Sequence, residues 1–262
     1  MKYNKLCLIL LIFNLHNLLS DSLKLTSNFQ STKRNSIKMA VNNNLFANTL
    51  RVAGPIVFTS MQLSSVQTAR KIIQDKSVNN FSPLPFVSLL TNCVVWTLYG
   101  MLKADLTVLI PNFTGILAGL FGVITFHRFC KSSPNGLYLL ATIIVLTASN
   151  FAYFKNPVPI GLIGCGLAVV LSGSPLATVG TVIKSKSTEA LPFLNSFTTW
   201  LNALTWLLYG TLIAHDVMIY GPNLMGFILA SIQMMLFVIY GFPKSSSTIQ
   251  KSEELKPLVD HF

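Results

Sequence analysis

Residues 92–100 read Asn-Cys-Val-Val-Trp-Thr-Leu-Tyr-Gly, and residues 202–210 read Asn-Ala-Leu-Thr-Trp-Leu-Leu-Tyr-Gly. The two stretches carry Asn, Trp, Tyr and Gly at the same places and lie 110 positions apart. With one inserted residue, the same shift aligns Pro111-Asn112 with Pro222-Asn223. Apolar helices align leucine with leucine by chance, but they rarely align Trp, Tyr, Pro and Asn in order. The chain therefore contains an internal duplication, and the spacing of the two copies predicts the fold.

The composition of the 262 residues excludes a water-soluble fold. Hydrophobic residues make up 52% of the chain and charged residues 10%, against roughly 25% charged residues in an average soluble domain. Seven intervals between ionisable residues are long enough for a membrane-spanning helix, which needs about 20 apolar residues. The predicted spans lie near 47–70, 84–102, 106–129, 136–154, 158–182, 192–213 and 217–241.

Each copy of the duplicated unit contains three spans, and the fourth span lies between the copies. A unit with an odd number of spans reverses its direction in the membrane, so one additional span gives both copies the same orientation. We therefore predict an all-α integral membrane protein with seven transmembrane helices, in which an inverting linker helix joins two parallel three-helix bundles (3+1+3). Transporters use such repeats, with the substrate site between them near the middle of the membrane. The predicted units are 45–130 for the first bundle, 131–156 for linker helix four and 157–242 for the second bundle.

The distribution of positive charge predicts the orientation of the chain. The loops after the first, third and fifth spans carry seven lysine and arginine residues, and the opposite loops carry only Lys103 and Lys155. The positive-inside rule therefore places the C-terminus and the polar tail at 243–262 in the cytoplasm, with the start of the first span outside. Lysine and arginine outnumber the acids by 19 to 8 but form no basic face with interleaved aromatic residues, so no nucleic-acid partner is predicted.

Residues 1–44 are interpreted as a signal or targeting leader. Lys2 and Lys5 precede an apolar run from Leu6 to Leu19, which suits the core of a signal peptide. The stretch 22–44 contains no acid, so a bipartite organelle-targeting leader is an alternative, and translation from Met39 is another. We expect the plasma membrane as the location, with an endomembrane or a plastid-type organelle membrane as the alternative.

Several specific short motifs are distributed over the two duplicated units. They are Leu84-Pro85-Phe86, Asn92-Cys93, Trp96-x-x-Tyr99-Gly100, Pro111-Asn112, Ser174-Pro175-Leu176, Leu191-Pro192-Phe193, Trp206-x-x-Tyr209-Gly210 and Pro222-Asn223. In this combination the chain resembles the SWEET sugar facilitators of the PQ-loop superfamily over roughly residues 47–241. The resemblance implies bidirectional facilitated transport (uniport) of sugars by alternating access. It also implies a homo-oligomer, such as a trimer with one pore per chain.

Four paired residues are the predicted centre of the substrate site. Asn112 and Asn223 each follow a proline inside an apolar span, where an unsatisfied amide costs several kcal/mol. A single membrane asparagine most often bonds a neighbouring helix, but two at equivalent places favour a shared axial cavity. Trp96 and Trp206 lie deep for interfacial residues, and a broad apolar ring suits the C–H face of a pyranose. The resemblance places all four at the family's central binding positions.

The resemblance adds four residues to the wall of this predicted pocket. Asn92 and Asn202 precede the tryptophans by one helical turn, and Met61 and Leu171 occupy positions in the first and fifth spans. In the family pattern the bulk of these side chains limits the size of the substrate, and here all four are of medium or large size. We therefore expect a monosaccharide such as glucose rather than sucrose. The alternative is that Met61 and Leu171 are ordinary packing residues.

The resemblance also implies gates on both sides of the pocket. The family carries four hinge prolines, and the corresponding residues here are Pro85, Pro175, Pro192 and, in place of a proline in the first span, Ser65. On the outer side, Tyr99, Tyr209 and Asp216 are predicted to close an external gate through a tyrosine hydroxyl and the carboxylate. The alternative interpretation is that the prolines start helices, the tyrosines anchor the chain at the interface and Asp216 caps the seventh span.

No predicted span carries an acid, lysine or arginine near its centre, where a charge usually marks proton or ion coupling. A passive uniporter is therefore expected, with a proton-coupled PQ-loop transporter of an amino acid as the alternative. A seven-span receptor is a further alternative, against which the duplication and the short loops argue. The four scattered cysteines and the lack of an intramembrane hydrolytic set predict no catalytic residue, no metal and no cofactor. The expected partners are the sugar substrate, membrane lipid and further copies of the chain.

Overall fold

The computed structural model describes residues 45–171 and 173–242, and it describes the side chains of all of these except 171–175. The regular structure within these ranges is entirely helical. In chain order the elements are α1 Leu45–Asp75, α2 Leu84–Leu102, α3 Leu106–Phe129, α4 Asn135–Tyr153, α5 Pro157–Leu171, α6 Gly173–Ser185, α7 Phe193–Tyr209, the π-helical turn Gly210–Ala214 and α8 Val217–Tyr240. The predicted leader at 1–44 and the predicted tail at 243–262 lie outside the described residues.

The helices agree with the predicted spans to within a few residues at each end. Helices α5 and α6 together correspond to the fifth span, and α7 with the π-helical turn corresponds to the sixth. Taken singly, α2, α3, α4 and α8 are long and apolar enough to cross a membrane, whereas α5 and α6 are shorter apolar helices. The apolar content of the intervals therefore predicts where the helices lie.

The inserted residue of the second copy is found in the connection between α7 and α8. In the first copy the Asp105 N–H donates to the Gly100 carbonyl at 2.8 Å, and in the second the Asp216 N–H donates to the Gly210 carbonyl at 2.9 Å. The second connection is one residue longer, and the extra residue is accommodated by the π-helical turn. The same closing hydrogen bond is thereby kept in both copies.

Each aspartate also starts the helix that follows it. Asp105 accepts hydrogen bonds from the backbone N–H groups of Thr107 and Val108 at the start of α3, and Asp216 accepts from that of Met218 at the start of α8. Such caps satisfy N–H groups that have no partner within the helix. Capping by Asp216, the alternative to its predicted gating role, is thus observed, and both carboxylates are fixed in position for further contacts.

The third helix of each copy is the central one. In the first bundle α3 packs against both α1 and α2, and in the second bundle α8 packs against α7 and against α5 and α6. The contact between α2 and α3 is close because a Cβ atom at Gly119 would lie 2.9 Å from the backbone of Leu90. The central helices α3 and α8 are the ones that carry Pro111-Asn112 and Pro222-Asn223.

The two bundles meet through equivalent pairs of helices. Helix α1 contacts α7, and α2 contacts α5. Because the duplication makes α5 the counterpart of α1 and α7 the counterpart of α2, each contact is the image of the other under a twofold rotation. Helix α4 packs against α2 and α5, so the linker supports one of these two contacts. The predicted 3+1+3 arrangement is confirmed.

Candidate functional site

A cavity of about 210 Å³ lies between the two bundles. Six of the eight residues predicted for the substrate site line it, namely Asn92, Trp96, Asn112, Asn202, Trp206 and Asn223. The remaining lining residues are Phe58, Val108, Ala168, Ile219 and Pro222. The lining therefore consists of aromatic, aliphatic and amide side chains, with no ionisable residue among them.

The lining follows the duplication pair by pair. Each asparagine and each tryptophan of the first bundle faces the cavity together with its counterpart from the second. Val108 is likewise the counterpart of Ile219, and Phe58 is the counterpart of Ala168. The cavity is consequently centred on the twofold relation between the bundles, which is why one duplicated motif supplies opposite walls.

Each tryptophan packs against a glycine of the opposite bundle. A Cβ atom at Gly54 would lie 3.4 Å from the ring of Trp206, and one at Gly164 would lie 2.9 Å from the ring of Trp96. The two glycines are equivalent in the duplication. A larger residue at Gly164 would displace the Trp96 indole, so glycine is required there by close approach. These crossed contacts hold both indole rings at the interface between the bundles.

The amides at the centre are partly satisfied by the backbone. Asn112 Nδ2 donates to the Val108 carbonyl and Asn223 Nδ2 donates to the Ile219 carbonyl, both at 2.8 Å. The Oδ1 atom of Asn112 is buried and has no hydrogen-bond partner among the described residues, and the same holds for Oδ1 of Asn202. A buried acceptor without a donor costs about 1–3 kcal/mol. Both residues line the cavity, but these two oxygens have almost no accessible surface, so a solute reaches them only after the amides rotate.

Beyond the tryptophans, two tyrosines cross between the bundles. The Tyr99 hydroxyl lies 2.8 and 2.7 Å from the two carboxylate oxygens of Asp216, and the Tyr209 hydroxyl donates to Asp105 at 2.7 Å. Lys103 Nζ lies 3.0 Å from Asp216. We call the end of the helices that carries the two aspartates the acidic end. The predicted cluster of Tyr99, Tyr209 and Asp216 is present there, and its hydrogen bonds join the two bundles at this end.

Sequence reasoning missed Asp105 as a partner in this cluster. The signal was available, because the inserted residue that aligns Pro111 with Pro222 also aligns Asp105 with Asp216.

A vestibule of about 370 Å³, separate from the cavity between the bundles, lies at the acidic end and is lined by residues that include Arg51, Lys103 and Tyr209. Among residues 45–171 and 173–242, no group of three or more His, Cys, Asp or Glu is placed to hold a metal ion.

Comparison with known proteins assigns the family. The chain matches the protein-family model described as "Sugar efflux transporter for intercellular exchange" over residues 48–133 and 158–245, which correspond to the two bundles. It is 31% identical to the bidirectional sugar transporter SWEET7 of Arabidopsis thaliana over 229 residues, which cover 82% of this chain and 87% of that protein. The chain belongs to the SWEET family of sugar transporters. The prediction that the chain is not an enzyme agrees with this membership.

SWEET proteins from animals and a solved structure support the same assignment. The chain is 32% identical to the sugar transporter SWEET1 of Drosophila pseudoobscura pseudoobscura, over 71% of this chain and 85% of that protein. A solved structure of a eukaryotic SWEET transporter is 29% identical, with a TM-score of 0.66, and covers 74% of this chain and 96% of that chain. The family assignment therefore applies to both the sequence and the fold.

Within this SWEET fold, the predicted wall residue Met61 is not among the residues that line the cavity. Its place is taken by Phe58, which lies three residues earlier in α1, or about 4.5 Å along the helix axis. In the second bundle the lining residue is Ala168, and the side chain of the predicted Leu171 lies outside the described part of the chain. Met61 therefore lies about one helical turn farther from the acidic end than the residue that lines the cavity. The sequence shows which face of a helix meets the cavity, but it does not show how deep the cavity lies along that helix.

The hinge prolines of the SWEET pattern lie at helix starts. Pro85 is in the first turn of α2, and Pro192 is the N-cap residue of α7. A proline there removes no intrahelical hydrogen bond, so it produces no kink within a helix. Pro175 falls in the first turn of α6, and its side chain lies outside the described residues. The hinge role of these prolines stays a prediction.

At the fourth hinge position, Ser65 lies inside the continuous helix α1. A hydrogen bond from its hydroxyl to the preceding turn would partly replace the constraint of a proline. The described side chains show such a bond for the neighbouring Ser64, whose hydroxyl donates to the Met61 carbonyl at 3.1 Å, and none for Ser65. The prolines inside described helices are instead Pro55, Pro111 and Pro222, of which Pro55 was not predicted to matter.

Proposed function

We propose that the chain is a sugar uniporter that binds one monosaccharide, such as glucose, in the cavity between its bundles. The observation that supports this proposal most directly is the paired lining, in which two indole rings and four amides surround a single small volume. Apolar ring faces pack against the C–H face of a pyranose, and amides exchange hydrogen bonds with its hydroxyls. A pyranose offers both an apolar ring face and several hydroxyl groups.

The unsatisfied amide oxygens give this cavity a preference for hydroxyl donors. Asn112 and Asn202 each present a buried Oδ1 atom with no partner among the described residues. When the amide rotates so that this oxygen faces the cavity, a sugar hydroxyl donates to it, and the gain includes relief of the cost of an unpaired buried acceptor. An apolar solute of the same size could not supply this donor. The amides therefore favour a polyol over a hydrocarbon.

The cavity size supports a monosaccharide. Its volume of about 210 Å³ is below the roughly 300–1,000 Å³ of sites that hold drug-sized molecules. One sugar ring suits this space better than two linked rings.

The absence of charge from the lining supports uniport over the proton-coupled alternative. A zwitterionic amino acid needs partners for its ammonium and carboxylate groups, and a coupled proton needs an acid on its path. The lining residues supply amides, indoles, a phenyl ring and aliphatic groups, none of them ionisable. Glucose carries no net charge, so its binding requires none of these ionisable partners.

Alternating access follows from the contacts at the acidic end. The two tyrosine–aspartate hydrogen bonds join the bundles there, so the bundles must break both bonds to admit solute from that side. We assign the acidic end to the outside and the lysine-rich loops to the cytoplasm, because positive residues concentrate in loops on the cytoplasmic side. The plasma membrane is the proposed location, and further copies of the chain, as in a trimer, are the proposed partners within the lipid.

Uptake of radiolabelled sugars in yeast that lacks hexose uptake tests this function. We expect glucose uptake by cells that express the chain, unchanged when the proton gradient is collapsed. Asn223→Ala should reduce uptake, and Asn150→Ala, on the exposed face of the linker helix α4, is the matched control with normal uptake. Loss of uptake with the gradient would contradict uniport, and absence of uptake of any monosaccharide would contradict the substrate class.

A further inference from the structure

One lining pair breaks the symmetry of the cavity. Four of the five complete pairs are identical or similar in size, but Phe58 of the first bundle faces the cavity where the second bundle has Ala168. The phenyl ring has as many ring atoms as a pyranose, whereas the alanine side chain is a single methyl group. The Phe58 ring therefore fills one of two equivalent places in the cavity, and the equivalent place beside Ala168 holds no ring.

The place of Phe58 is defined by the glycine that precedes it. Gly54, which packs against the ring of Trp206, lies four residues before Phe58 and so on the same face of α1. Gly164 and Ala168 repeat this relation in α5 next to Trp96. Arg51 of α1 lines the vestibule at the acidic end, so Phe58 lies deeper than the Trp206 contact. Each tryptophan thus borders one half of the cavity, and the Phe58 ring fills only the half next to Trp206.

We propose that Phe58 determines substrate size by occupying one of the two equivalent halves of the cavity, so that a single sugar ring binds in the half bounded by Ala168 and Trp96. This inference rests on the proposed sugar transport and goes beyond it by assigning the limit to one side chain. The packing of Phe58 against the core on its other side holds the ring in place. A disaccharide is excluded because its second ring would need the space that the phenyl group fills.

The duplication provides a direct test with three variants. Phe58→Ala gives both halves the same methyl group, and we expect sucrose uptake to rise at least about tenfold, the low end of the discrimination that a small group supplies in an apolar pocket. Ala168→Phe fills the second half, and glucose uptake should fall at least about tenfold by the same steric cost. The double variant Phe58→Ala/Ala168→Phe exchanges the halves and should restore glucose uptake without sucrose uptake.

Ile56→Ala is the matched control, because Ile56 lies on the exposed face of α1 two residues before Phe58. It should leave the uptake of both sugars unchanged. All variants are compared at equal surface abundance. If Phe58→Ala does not reach the membrane, Phe58→Leu replaces it and should raise sucrose uptake in the same direction.

The outcomes separate this proposal from the proposed function. Glucose uptake by the wild-type chain with no gain of sucrose uptake in Phe58→Ala, or in Phe58→Leu where it stands in, would overturn the role of Phe58 and leave sugar transport intact. Sucrose uptake by the wild-type chain would also overturn it. Failure of the wild-type chain to carry any sugar would instead contradict the proposed function. Rescue of Ala168→Phe by the second substitution supports two equivalent halves, and failure of that rescue at normal abundance contradicts them.

Discussion

Tyr99 of the first bundle and Tyr209 of the second make equivalent hydrogen bonds to aspartates of the opposite bundle, but their surroundings differ. The Tyr99 ring packs closely against Gly161, and its partner Asp216 also pairs with Lys103 at 3.0 Å. Tyr209 lines the vestibule at the acidic end, where Arg51 occupies the position equivalent to Gly161. The two halves of the proposed gate are therefore unequal, since the Tyr99–Asp216 bond is buried and the Tyr209–Asp105 bond is only partly buried.

The cavity behaves differently from the gate in this respect. Its two tryptophans and four asparagines are identical in the two bundles, and the one large difference is Phe58 against Ala168. The aromatic and amide residues of the proposed substrate site are thus the same in both bundles, and the residue proposed to limit substrate size differs. The duplication supplies a symmetric frame, and the proposed size limit comes from a single difference within it.

The largest expected effect concerns the two tryptophans. Trp96→Ala should reduce glucose uptake by about 30-fold or more, the equivalent of roughly 2 kcal/mol of binding. Trp206→Ala should reduce it less, because Phe58 fills the half of the cavity next to Trp206 and the sugar is assigned to the half next to Trp96. Trp200→Ala is the control, since Trp200 lies on the same helix as Trp206 but bonds Ser231 outside the cavity. Normal uptake in either cavity variant would remove that ring from the site.

A smaller effect is expected at the gate, where the two tyrosines should differ. Tyr99→Phe removes a buried hydrogen bond to a carboxylate, worth about 1.5–3 kcal/mol, and should open the acidic end about tenfold or more often. Tyr209→Phe should have a weaker effect because water from the vestibule can replace the lost bond. The measurement is the rate at which an impermeant thiol reagent labels a Val108→Cys reporter in a background without the native cysteines. Equal rates for the two variants would contradict an unequal gate.

The smallest effect concerns the glycines beneath the tryptophans. Gly164→Ala brings a methyl group to 2.9 Å from Trp96 and should destabilise the protein by about 1–3 kcal/mol through overpacking. Gly54→Ala, at 3.4 Å from Trp206, should change stability by no more than about 0.5 kcal/mol. Thermal unfolding of the purified protein in detergent measures both. Gly166→Ala is the control on the same helix as Gly164, because nothing lies within 4 Å of its Cβ position. A larger loss at Gly54 than at Gly164 would contradict the packing.

Most of the fold was predictable because its determinants are local or repeated. Apolar length fixes where helices cross a membrane, and the shift of 110 residues fixes which helices are equivalent. Four cavity residues followed from the same shift, since Trp and the Pro-Asn pair recur in both units, and the family resemblance added Asn92 and Asn202. Asp105 was equally accessible through the inserted residue and was missed only because its counterpart Asp216 was considered alone.

Other features could not be predicted from the motifs. Phe58 occurs in no repeated pattern, and nothing in a run of apolar residues distinguishes a cavity-lining phenylalanine from one that packs in the core. The depth of Met61 relative to the cavity depends on how α1 is placed along α7, which is a contact between residues far apart in the chain. The motifs also did not show whether Pro85 and Pro192 lie inside helices or at helix starts, because a proline in the sequence does not mark where the helix begins.

The sequence by itself determined the helices, their duplication and the chemical pairs, because hydropathy and repeated motifs are properties of the chain alone. Only the tertiary structure decided that α1 meets α7 and that α2 meets α5, that each indole packs against a glycine of the other bundle and that each tyrosine crosses to the opposite aspartate. A repeat states which residues are equivalent, but it does not state the distance between them. That distance is set by the close packing of the helices, which brings equivalent residues together around one axis.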